Sequence, residues 1–128
     1  MSADPLPAPV KQLLARHIKS VEQLEVLLFL RSNPNRGWTA AEVYEVIRSS
    51  EPSIQARLQA FTSAGFLAEE KGPPATFRFA PKDQTLASAV DQTAATYQMS
   101  RVRVIEAIFA PEADPVQSFA DAFKMRKD

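Results

Sequence analysis

The sequence predicts a mainly helical fold carrying one small β-hairpin. Three observations predict it. Apolar residues recur at helical spacing from Val10 to Ala64, the period switches to alternation between Phe66 and Ala80, and helical spacing returns from Asp83 onward. With 128 residues, 45% of them hydrophobic and 23% charged, the chain is long enough to bury a core without disulfides or metals.

Residues 1–19 read as an N-terminal arm with a short helix. Three prolines loosen the first nine positions, and Val10, Leu13, Leu14 and Ile18 then mark a helical face. Ser20 is the expected N-cap of the next helix, with Gln23 completing a capping box. That helix, Val21 to about Arg31, carries Leu24, Leu27, Leu28 and Phe29 on most of its sides and so reads as the central buried one. Asn33-Pro34-Asn35 ends it.

Gly37-Trp38 is a short extended segment, where Trp38 is expected to pack beneath the hairpin. Thr39 and Glu42 form a second capping box, and Val43, Val46 and Ile47 give the helix they open one narrow apolar stripe. Ser49-Ser50-Glu51-Pro52 is a turn or helix start. The helix that follows runs to about Ala64, with Ile54, Leu58 and Phe61 at i, i+4, i+7. Gly65 stands where a left-handed terminal residue belongs. Phe66–Lys71 and Thr76–Ala80 are the expected strands, joined at Gly72-Pro73-Pro74.

Residues 82–128 read as a C-terminal helical extension. From Asp83 to Ala110, Leu86, Val90, Thr93, Tyr97, Ser100, Val104 and Ala107 keep alternating steps of four and three, a heptad seam with a weak point near Met99-Ser100. Val102, Ile105 and Phe109 make a second apolar face. A continuous helix of that length would span about 42 Å, more than the preceding domain needs. The seam residues Leu86, Val90, Tyr97 and Val104 are therefore the expected dimer or partner interface. Folding back onto the same chain is the alternative. A last helix after Asp114-Pro115 bears Phe119 and Phe123, which would complete that interface or dock on another protein.

Composition excludes several function classes. There is no cysteine, hence no disulfide framework, no thiolate zinc site and no thiol nucleophile. Lysine plus arginine and aspartate plus glutamate stand at 15 each, so no molecule-wide positive field exists and any nucleic-acid contact must be local. The N-terminal stretch lacks the pattern of a secretory leader, and no apolar run reaches membrane-spanning length, so a cytoplasmic protein without membrane insertion is expected. His17 is the only histidine and has no acidic neighbour in sequence. Adjacent strand residues Glu69 and Glu70 point to opposite faces and cannot converge as an acid–base pair. No Gly-rich phosphate loop or catalytic triad is present. No catalytic residue, metal or cofactor is expected, and the chain reads as a non-enzyme.

The order helix, short strand, helix, tight turn, helix, hairpin over residues 20–81 resembles winged helix-turn-helix transcription regulators, MarR-like ones in particular. Thr39, Ala41, Glu42 and Val43 carry the resemblance in the first helix of the motif. Ser53-Ile54, Leu58, Phe61 and Ala64-Gly65-Phe66-Leu67 carry it in the second helix and the strand after it. It implies a homodimeric, sequence-specific DNA-binding regulator with the Ser53–Ser63 helix in the major groove and the Lys71–Thr76 wing near the backbone. The DNA-binding residues it implies are Ser53, Gln55, Ala56, Arg57 and Gln59 on the helix, with Lys71 and Arg78 on the wing. Gln55 and Gln59 suit adenine edges. Arg57 is the helix's only basic residue, and Ala56, Gln59 and Ala60 stand where such regulators usually carry cations. Because winged helices also serve as protein-interaction modules, a module that binds protein and not DNA is the alternative function.

Overall fold

A computed structural model describes residues 6–109. Phe119 and Phe123 lie outside the described residues. The elements are α1 (Ala8–His17), α2 (Val21–Ser32), α3 (Ala40–Ile47), α4 (Glu51–Ala64), β1 (Leu67–Glu70), β2 (Thr76–Phe79), α5 (Gln84–Met99) and α6 (Arg101–Phe109).

Each helix start is set by its cap. Ser20 accepts the Gln23 amide at 3.1 Å, as the sequence predicts. The reciprocal half differs, because the Gln23 side chain accepts from the Lys19 amide and not from Ser20. Thr39 and Glu42 form the full capping box, each side chain accepting the other's amide. Ser50 caps α4 and Asp83 caps α5.

One core joins all the helices. Leu24, Val26, Leu27 and Leu30 make α2 its centre, with Ile54, Leu58 and Phe61 of α4 against it. On α3 the buried line runs through Ala40 and Val43, with Tyr44 and Ile47 packed beside them. Val46, expected in the stripe, is 54% exposed because it falls off that i, i+3, i+4, i+7 line.

Gly65 closes α4 at φ 95°, and its amide returns to Thr62 O. A Cβ there would meet only the flexible Lys82 side chain, which can move aside, so it is the positive φ that calls for glycine. β1 and β2 pair antiparallel, with Leu67 opposite Phe79 and Glu70 opposite Thr76. Trp38 adds a one-residue third strand, exchanging both backbone hydrogen bonds with Phe77 at 2.8 Å. Its ring meets Phe29 edge-on, and its Nε1 donates to Asn33 O at 3.0 Å.

The helical pattern after Asp83 breaks at Ser100. Its amide donates to Thr96 O, and its carbonyl accepts the Val104 amide. One residue thus ends α5 and starts α6. The two helices do not project; they fold back, and α1 packs on both. Val90, Tyr97 and Val104, expected on a partner-facing seam, therefore lie in this chain's own core. Leu86 is half-buried beside them. Tyr97 Oη donates to Glu25 at 3.1 Å and Arg31 Nε to Asp91 at 2.9 Å, tying α5 to α2. The outward apolar face is the second one, with Val102 69% and Phe109 64% exposed and seven residues apart on α6.

Candidate nucleic-acid interface

α3 and α4 are separated only by Arg48, Ser49 and Ser50. Arg48 takes the left-handed conformation, φ 64°, that makes so short a turn closable. α4 is docked through Ile54, Leu58 and Phe61, which at helical spacing turns Gln55, Ala56, Gln59 and Ala60 to solvent. These four carry amides and methyl groups and no charge. Gln55 and Gln59 are free to offer a donor and an acceptor to a base edge. Lys71 and Arg78 are exposed on the wing, Lys71 at its tip and Arg78 opposite Ala68.

Ser53 and Arg57 are placed differently. Both lie on the flank of α4 and meet Glu22 of α2. Arg57 Nε donates to Glu22 Oε1 at 3.0 Å, Ser53 Oγ donates to the same oxygen at 2.9 Å, and the Ser49 hydroxyl donates to Oε2. Burial pushes the Glu22 carboxyl up, but three hydrogen bonds and the Arg57 charge outweigh it and hold its pKa below the ordinary value. Nothing in the sequence marks Glu22. An acid in a first helical turn reads as a partner of the helix dipole, and its three donors lie 27, 31 and 35 residues away.

His17 borders an open groove of about 460 Å³ between α1 and α5, with Leu13, Arg16, Leu86, Ala89 and Gln92. Its ring stands edge-on to Phe66 at 4.9 Å. Burial, then the neighbouring Arg16 and Lys82 charges, lower its pKa from 6.5. Neutral imidazole is thus favoured in the folded chain. The resulting stability is fully present above pH 6.5 and is lost as pH falls through the lower folded value. Replacing His17 by Gln is expected to flatten the urea midpoint between neutral and mildly acidic pH; an unchanged slope would show that His17 does not carry it. Among the described residues, no three His, Asp or Glu side chains gather as a metal site would need, and no helix is long and apolar enough to cross a membrane.

A short-turn helix pair, a β-ribbon after its second helix and a single bridging residue before its first define a winged helix-turn-helix. The whole arrangement, with flanking helices packed on each other, is the MarR-like form of that fold. No protein-family profile and no curated protein matches the sequence. The structure is similar to MepR of Staphylococcus aureus in its DNA complex, at 15% identity over 93% of this chain and 87% of that one, TM-score 0.52. It is similar to Bordetella bronchiseptica BpsR, whose DNA binding is regulated by 6-hydroxynicotinic acid, at 15% identity over 92% and 81%, TM-score 0.53. Wild-type MarR of E. coli aligns at 13% identity over 92% and 87%, TM-score 0.50. At such identities the likeness is one of fold.

Proposed function

We propose that the protein is a cytoplasmic, sequence-specific DNA-binding transcription regulator that works as a homodimer. The observation that carries this reading is the face of α4: a helix anchored on its apolar side and open on the other, beside an exposed wing, in a fold shared with a regulator solved on DNA. Gln55 and Gln59 read base edges, Ala56 lets the helix approach closely, and Lys71 and Arg78 meet phosphates. The dimer forms through the outward face of α6, where Val102 and Phe109 with half-buried Ile105 leave apolar surface uncovered.

The test is fluorescence anisotropy at about 50 mM salt, where phosphate contacts count most, on duplexes from the protein's own promoter region and on random sequence. The expected result is preference for one promoter duplex, with two protein copies per duplex in sedimentation. Replacing Gln55 and Gln59 together by Ala should cut that preference by tenfold or more, since each base pair read bidentately is worth about 1–3 kcal/mol. Random-sequence affinity should stay unchanged. The uncharged outward face of α4 equally suits a protein partner, so absence of any binding at low salt would overturn the DNA reading and favour a protein-interaction module.

A further inference from the structure

We propose that Glu22 is a specificity-determining residue for DNA, acting by withholding the Arg57 charge from phosphate. The inference rests on the DNA-binding reading of α4 and deepens it.

Arg57 is the only basic side chain on α4, and Glu51 adds a negative charge at the helix start. The Arg57 guanidinium lies 3.0 Å from the Glu22 carboxylate. Ser49 and Ser53 also donate to that carboxylate, which fixes it in place and keeps it ionised. Salt-dependent affinity for DNA scales with the phosphates a protein neutralises. A cation already compensated at contact distance neutralises none. The pair is not sealed away, since the Arg57 side chain is 32% exposed and that of Glu22 17%. A phosphate could reach the guanidinium if the carboxylate released it. Withholding this charge leaves α4 with no uncompensated cation, so sequence-blind attraction is weak and the glutamines carry a larger share of binding.

A purely structural staple between α2 and α4 would use the same contacts, so the experiment reads charge and not folding alone. Glu22→Gln removes the charge and keeps one acceptor oxygen, enough for Ser53 at the Oε1 position, while the NH2 that replaces Oε2 donates to the Ser49 hydroxyl instead of accepting from it. Full-chain protein is titrated with a labelled random-sequence duplex and with the preferred promoter duplex across a salt series. Glu22→Gln is expected to bind random sequence roughly tenfold tighter at low salt, with the slope of log K against log salt steeper by about 0.9, the value of one added phosphate contact. The ratio of promoter to random-sequence affinity falls. The double variant Glu22→Gln with Arg57→Gln has the same net charge as the native pair and is expected to return to native affinity and slope, although its α4 carries no cation. Native slope in Glu22→Gln, or a double variant clearly weaker than native, would overturn the proposal while leaving DNA binding standing. If neither native protein nor Glu22→Gln binds any duplex, the DNA reading falls and this inference falls with it.

Discussion

Replacing Phe66 by Ala will lower the unfolding free energy by about 3–5 kcal/mol, a large part of the 5–15 kcal/mol typical of a domain. Phe66 is fully buried where α4 turns into the wing. Its ring meets His17 edge-on at 4.9 Å and Phe61 at 5.5 Å, so one side chain just ahead of β1 links α1 to α4. Its amide donates to Phe61 O at 2.9 Å and its carbonyl accepts from Ala80 at 3.0 Å. Those bonds pin the backbone, so the cavity left by truncation cannot close by moving the chain. Urea denaturation measures the effect. A loss below about 1 kcal/mol would mean that the neighbours collapse into the space and that the ring is not the link described.

Replacing Val104 by Asp will be comparably damaging. Val104 is fully buried on the inward side of α6, within the core that α1 and α5 share. A carboxylate there has no partner, and an uncompensated buried charge costs about 3–5 kcal/mol. The backbone amides of α6 are expected to lose hydrogen-exchange protection first, with α2 and α4 following only on global unfolding. If Val104 instead faced a second copy, the variant would be a well-folded monomer with α6 still protected. That outcome would return the α5–α6 seam to its place as an interface.

Local signals in the sequence were the reliable ones. The Thr39–Glu42 box, the Ile54–Leu58–Phe61 face and Gly65 are each set by residues within one or two turns of one another, and spacing suffices to read them. The strands were legible from alternation, and Trp38 from its isolation ahead of the box. The heptad spacing of Leu86, Val90, Tyr97 and Val104 could not reveal its partner, because an apolar stripe records that a face is covered and not by which chain. Ser100 was a visible weak point, but its double duty as the end of one helix and the start of the next depends on α1 being there to receive both. The outer face of α4 was readable from the buried triplet alone. The Glu22 cluster was not, since it joins residues from three segments with no common period.

The way α1 is held has a consequence for how the chain is made. Its chief contacts are with α5 and α6, the last helices described. During synthesis Val10, Leu13 and Leu14 therefore leave the ribosome long before the surfaces that cover them exist. The wing and its two helices can assemble while α1 waits for α5, and emergence of α6 completes the clasp. Closure thus depends on α6 having been made, and a polypeptide halted before it would leave part of the apolar face of α1 uncovered.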